Sequence, residues 1–477
     1  MNYFLTTRKP LLIYKLYLNS FKKNFEIKYN NKKVSFLHLR IRKLPSFRYF
    51  IFLFSILVTG KIFDKKTRAN ISYNDVILGN HVISYVYRNF KSYDSKIYFY
   101  FYLIKYFYLA GCYIKTSLTY LKKYNFRCVY LDHLMYLNGI YYQIFAKNKK
   151  IIYSNNYPKS AYMIDFNKKK KIYHDFSNSF RLAYLKKNLT NKQEKKIEKF
   201  KKKYLKTSTR FIAHMKNTKY YRLDKKSKLR FYDCQYIIFP HSFTDAQMVT
   251  GFSGFESMVD WLIFTLEFMK KNNKKAIIKA HPNFFKKDFG ILSLWDKKIF
   301  ENIKKRYENE KNFYFIDKSV DNLEVLKQLN KNCIGLSHHG TVILEMALHN
   351  FKTISSLKCP WDSRYKVSNN WSNVSEYKQL LSKKWGELNF HDKDDLNKTY
   401  YQYFLDNFSF NGKYSIHEIM KRSLNKSISS LRNDPKIFST DASIKDINSQ
   451  EKIFDKYFPI KKQKKFVKIF SNNIEEL

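Results

Sequence analysis

Two short stretches hold the side chains with the clearest chemical potential. In KKAIIKAHPN (Lys274–Asn283) an apolar run climbs to His281, and Pro282 stops it. Proline donates no ladder hydrogen bond and biases the residue before it away from helix, so a strand is expected to end there. An imidazole at such an edge can donate a hydrogen bond to a phosphate, and Lys279 can add charge. In GLSHHGTVILEMALHN (Gly335–Asn350) an apolar run leads into Ser337, His338, His339, Gly340 and Thr341, then into a helical pattern carrying Glu345. Gly340 permits close backbone approach or an unusual φ. The N–H groups at a helix start near Thr341 favour an anion. Glu345, four residues on, shares a helix face with Thr341. Its carboxylate can accept both hydroxyls of a ribose, about 5 Å or one helical turn beyond a phosphate held at the helix start.

Purely structural roles compete at each position. His281 can cap its strand and bond a neighbouring loop, His338 and His339 can pack a loop, and Glu345 can favour the helix dipole. A metal site is the weaker rival, because adjacent histidines point to different sides and no Cys or Asp cluster joins them.

These side chains need a sheet to place them. From Tyr236 to Ser356 short apolar runs alternate with helical periods. Strands are expected at Tyr236–His241, Lys275–Ala280, Phe313–Asp317, Cys333–Ser337 and Phe351–Ser356, and helices at Phe255–Lys271, Val320–Asn330 and Gly340–Asn350. That alternation implies a parallel sheet covered on both faces, with ligands at the carboxyl ends of its strands. A weaker version runs earlier: FRCVYLD (Phe126–Asp132), HLMYLNGIYYQIFAKN (His133–Asn148) and KKIIYS (Lys149–Ser154) suggest a first α/β domain. Between the two lies a charged helical segment, Leu185–Lys206. After about Tyr377 the pattern is mostly helical.

His-Pro after a strand, followed by Ser-x-x-Gly-Thr-x-x-x-Glu at the head of a later helix, resembles the nucleotide-binding half of bacterial capsule polysaccharide biosynthesis proteins. These are GT-B glycosyltransferases of the Kdo-transferase and polysialyltransferase type. YIIFPHSFTDAQMVTGFSGFESMVDWLIFTLEF (Tyr236–Phe268) resembles the segment that opens this domain in such enzymes. The resemblance covers about Tyr236–Ser356. It implies an α/β chain of GT-B type, with two Rossmann-like domains facing a cleft and a mostly helical C-terminal tail. The domains would be an acceptor-side domain at 1–232, a nucleotide-sugar domain at 233–380 and a helical extension at 381–477. By the same resemblance His281 contacts the donor phosphate, Ser337 to Thr341 wrap it, and Glu345 holds the ribose. The donor is a nucleotide sugar acting as co-substrate, with no resident cofactor or metal. The acceptor is a capsular or surface polysaccharide or a glycolipid. Two histidines stand where such proteins often carry smaller polar residues. The Asp-Tyr-Ser-Ser loop usual in the related glycerophosphotransferases is absent. A base for the acceptor hydroxyl is sought at Asp132 and His133, after a strand of the first domain, and at His241 and Asp245 near the cleft. Capping of the following helices explains the two aspartates equally well.

Composition sets the limits. The chain has 477 residues, enough for two or three domains, and carries a formal net charge of +51 from 90 Lys+Arg against 39 Asp+Glu. Lys, Asn, Ile, Phe and Tyr are enriched together, the bias an AT-rich genome produces. The excess is spread along the chain, where a nucleic-acid footprint would be a localised stripe, so no specific nucleic-acid partner is expected. An anionic membrane surface remains a partner such charge would suit. Five well-separated cysteines with no CxxC pair argue against zinc and against a disulfide framework, and fit a reducing cytoplasm. No signal peptide is evident. The apolar runs Tyr49–Gly60 and Ile97–Gly111 read as core elements, the first too short to span and the second interrupted by Lys105. The expected location is the cytoplasm, with the inner face of its membrane as a place of work.

Overall fold

The computed structural model describes residues 2–6, 25–29, 32–38, 43–64, 67–89, 96–124, 126–131, 136–148, 151–157, 160–164, 188–207, 221–224, 230–244, 253–285, 291–357 and 365–401. In chain order the first domain has β1 (Asn2–Thr6), β2 (Phe25–Tyr29), β3 (Lys32–His38), α1 (Phe47–Val58), the hairpin β4 (Ser72–Tyr73) and β5 (Val76–Ile77), α2 (Gly79–Asn89), α3 (Lys96–Lys123), β6 (Phe126–Leu131), α4 (Asn138–Lys147), β7 (Ile151–Tyr157) and β8 (Ser160–Ile164). The sheet order is β2-β3-β1-β6-β7-β8. β3, β1, β6 and β7 run parallel, and β2 and β8 close the edges antiparallel.

The helices of this domain share one core. Ser46 starts α1 by accepting from the Tyr49 N–H at 3.3 Å, a cap of the ordinary kind. Tyr49, Leu53 and Ile56, at helical spacing, then face inward. Leu103, Phe107, Ala110 and Ile114 of α3 repeat the spacing and join the same cluster. Gly111 lets the helices approach, because the Tyr49 ring lies where a Cβ would project. The two apolar runs expected to be core elements are therefore core on one face only. Their other face is exposed at Phe47, Ile51, Phe54, Ile97 and Phe101.

The second domain follows α5 (Asn191–Thr207). It comprises β9 (Tyr236–Ile238), α6 (Met258–Lys271), β10 (Ala276–Lys279), α7 (Ile291–Tyr307), β11 (Phe313–Ile316), α8 (Asn322–Leu326), β12 (Ile334–Ser337), α9 (Val342–Leu348), β13 (Thr353–Ser356), β14 (Asn369–Trp371), α10 (Val374–Ser382) and α11 (Lys393–Tyr400). Its six strands run parallel in the order β11-β10-β9-β12-β13-β14. Numbered within the domain this is 3-2-1-4-5-6, the doubly wound Rossmann order. The chain is thus an α/β protein with two Rossmann-like domains, the GT-B architecture.

Alternate strand residues explain the two layers. Tyr236, Ile238, Ala276, Ile278, Ile334 and Leu336 meet α6, α7 and α10 on one face. Ile237, Ile277 and Cys333 meet α8 and α9 on the other. Burying each Ile or Leu is worth roughly 2 kcal/mol, so both faces hold the sheet, and the strands read as unbroken apolar runs. Helix starts fall later than periodicity alone suggests because side chains cap them. Ser257 accepts from the Asp260 N–H at 3.1 Å and opens α6, and Asp321 accepts from the Leu323 N–H at 2.8 Å and opens α8. α11 packs on α9, where the Tyr400 hydroxyl donates to the Leu344 carbonyl at 2.6 Å. α5 joins them through Phe200, whose ring lies 6.0 Å from that of Tyr400. Residues 402–477, which include most of the helical tail expected from sequence, lie outside the described residues.

The domains meet at α7. Its Trp295 and Ile299 pack into the core of the first domain, while Phe300, Ile303 and Tyr307 pack into the second.

Candidate active site

In a 3-2-1-4-5-6 sheet the strand order reverses between the first and fourth strands, and a crevice opens at their carboxyl ends. Here those strands are β9 and β12. His241 follows β9, His281 follows β10, and His339 follows β12. The three imidazoles gather there: the His241 ring centroid lies 4.6 Å from that of His339 and 5.5 Å from that of His281. His281 and His339 are half-buried. Among the described residues no three His, Cys, Asp or Glu side chains are grouped as ligands for a metal ion.

The neighbouring histidines do different work. His338 is fully buried and meets Trp261 and Trp371 edge-on, at 5.8 and 5.5 Å between centroids. It belongs to the core. His339 faces the crevice histidines, and the two Nδ1 atoms lie 2.9 Å apart. One of those nitrogens donates and the other accepts, so the two neutral rings take opposite tautomers.

Ser337 ties the turn to the sheet. Its hydroxyl donates to the Phe239 carbonyl at 2.9 Å and accepts from the Gly340 N–H at 3.2 Å. A Cβ at Gly340 would stand 2.7 Å from the Ser337 Oγ, so the tight turn requires glycine. Thr341 caps α9 without a side-chain hydrogen bond, and α9 is only seven residues long. Within the turn that the resemblance wraps around the phosphate, the Gly340 N–H is already used by Ser337.

Beneath the turn lies a buried charged group. Lys279 is 1% exposed and Glu345 4%. Burial lowers the Lys279 pKa to about 8, against the pull of Glu345 and then Asp321. The Glu345 carboxylate accepts from the Asn322 side chain at 2.9 Å. The resemblance gives Glu345 to a ribose; in the fold it balances Lys279 and binds Asn322.

Asp132, His133 and Asp245 lie outside the described residues, although β6 ends one residue before Asp132. One acidic residue that the sequence reading missed stands beside the crevice. Asp296 of α7 is fully buried and accepts from the Ser242 hydroxyl and, at 3.1 Å, from the Thr244 hydroxyl. It fixes the loop that carries His241.

Burial lowers the His339 pKa well below its usual 6.5, helped by repulsion from His241 and His338. In the unfolded chain His339 takes its proton near pH 6.5, and in the fold only at lower pH. Between those points the unfolded state binds the extra proton, so acid favours unfolding by up to about 1.4 kcal/mol per pH unit. The thermal midpoint should therefore fall as pH drops below 6.5, and His339→Asn should flatten that slope.

No family model matches the chain, and no curated protein does. Among solved structures, the UDP-GlcNAc 2-epimerase of Methanocaldococcus jannaschii, in complex with UDP-GlcNAc and UDP, is similar over 84% of this chain and 98% of that one. The sequence identity is 12% and the TM-score 0.29.

Proposed function

We propose that the protein is a GT-B glycosyltransferase. It moves a sugar from a nucleotide-sugar donor, with a CMP-linked sugar as the first candidate to test, onto a surface polysaccharide or glycolipid. One observation carries this reading: three imidazoles, from the loops after three neighbouring strands, gather where the strand order of a doubly wound sheet reverses. Ring N–H groups of His241 and His281 donate to the donor phosphate and stabilise the negative charge that develops as the nucleotide leaves. His339, kept neutral by burial, supports His241. Lys279 supplies positive potential from beneath. Asp132, His133 and Asp245 are the acceptor-side candidates for the base. The nucleotide sugar is a co-substrate, and the reading calls for no resident metal.

A thermal-shift panel of CMP, CDP, UDP, GDP and their sugars tests the proposal. A ligand at a hundred times its Kd adds about 2.7 kcal/mol, or roughly 3 °C for a chain of this length. One nucleotide class should produce that shift, and His241→Ala should abolish it. A response to CDP-glycerol alone would move the assignment to glycerophosphate transfer. Silence across the panel, with salt-dependent binding to any nucleic acid, would overturn it.

A further inference from the structure

Helix α1 is apolar on both sides. Tyr49, Leu53 and Ile56 are in the core, yet Phe47, Ile51, Phe54 and Val58 form a second stripe, with Phe47 79% and Phe54 68% exposed. A helix that is apolar all round is normally buried or in contact with lipid. The start of α3 continues the surface with Ile97, 82% exposed, and Phe101, 62% exposed. Aromatic contacts join α3 to α1 and to the turn after it: the Phe50 ring lies 5.8 Å from that of Tyr108, and Phe63, in that turn, meets Tyr100 at 5.1 Å. The result is one aromatic face. Isolated exposed apolar residues need no explanation, but a contiguous patch marks an interaction surface.

Charge selects the occupant. Lys43, Arg48, Lys61 and Lys105 are exposed on the same two helices and their flanks, and neither α1 nor α3 contains an acidic residue. The nearby Asp64 carboxylate accepts from the Thr67 N–H at 2.8 Å. A second copy would bring the same cations face to face, in a chain of net charge +51. Aromatic rings bordered by Lys and Arg instead match the headgroup zone of an anionic leaflet. By length and composition α3 qualifies to cross a bilayer. However, its Leu103, Phe107, Ala110 and Ile114 are packed in the domain core, which fits a helix lying on the membrane. We propose that the exposed face of α1 and the start of α3 seats the protein on an anionic lipid bilayer. The inference stands apart from the nucleotide-sugar reading, since none of its residues belongs to the histidine crevice.

Co-sedimentation of the full chain with phosphatidylcholine vesicles, with and without phosphatidylglycerol, tests it. The wild type should pellet with the anionic vesicles and largely remain in solution with the neutral ones. The triple substitution Phe47→Ser, Phe54→Ser, Phe101→Ser should weaken anionic binding at least tenfold. A separate Phe54→Trp variant should show a blue-shifted emission quenched by brominated lipid. Equal pelleting of the triple variant would mean that charge alone carries binding, and the surface assignment would fail. It would fail equally if the wild type ignored anionic vesicles, or formed a dimer in light scattering that the triple variant dissolved. Should the triple variant lose cooperative unfolding, Phe47→Ser and the tryptophan emission decide in its place.

Discussion

Replacing His281 by alanine should lower nucleotide-dependent transfer, or donor hydrolysis in the absence of acceptor, by roughly 10²–10³-fold. The thermal midpoint should hardly move. The imidazole sits half-buried after β10, 5.5 Å from the His241 ring and 5.9 Å from Phe284, so its loss opens space at the crevice and leaves the core intact. His338→Ala is the contrasting variant. That ring fills the gap between Trp261 and Trp371, and its removal should cost stability before it costs activity. Steady-state rates measured alongside thermal melts separate the two. If His281→Ala retained full activity and an unchanged nucleotide shift, the crevice would not be the donor site.

The second large effect concerns the charge under the turn. Lys279→Met leaves the buried Glu345 carboxylate without its balancing cation. Stranding a buried carboxylate with less compensation in this way should cost on the order of 1–3 kcal/mol. Adding Glu345→Gln to the same chain should recover much of the loss, and denaturant unfolding of the two single variants and the double reads it directly. Alkaline titration gives an independent check. The Lys279 pKa is about 8 in the fold and 10.5 in its ordinary state. Across that window the unfolded chain binds the extra proton, so this residue's contribution to stability rises with pH. The rise should be absent in Lys279→Met.

Much of the second domain was legible because its strands are buried on both faces. β9, β10, β12 and β13 appear as short apolar runs, and only their ends shift where a cap or a loop intervenes. α7 was not legible. Its apolar residues serve two cores at once, Trp295 in one and Phe300, Ile303 and Tyr307 in the other, so no single stripe emerges. β14 escaped notice because NNW carries hardly any apolar signal. At the site, the edge positions of His281 and His339 follow from strand ends alone. Which of two adjacent histidines enters the core depends on the sheet face, and the two tryptophans that decide it come from distant segments. Asp296 gave no signal, because its partner Ser242 is 54 residues away in sequence. The acceptor-side candidates Asp132, His133 and Asp245 lie outside the described residues, so the structure leaves them where sequence reasoning did.

Trp295 and Asp296 are neighbours on α7, yet one is packed in the first domain and the other holds the hydroxyls of Ser242 and Thr244 in the second. A swing of one domain against the other therefore cannot be absorbed in a slack tether at this point. It must either drag α7 along or loosen the loop that presents His241. The placement of His241 and the angle between the domains are mechanically geared through two consecutive side chains.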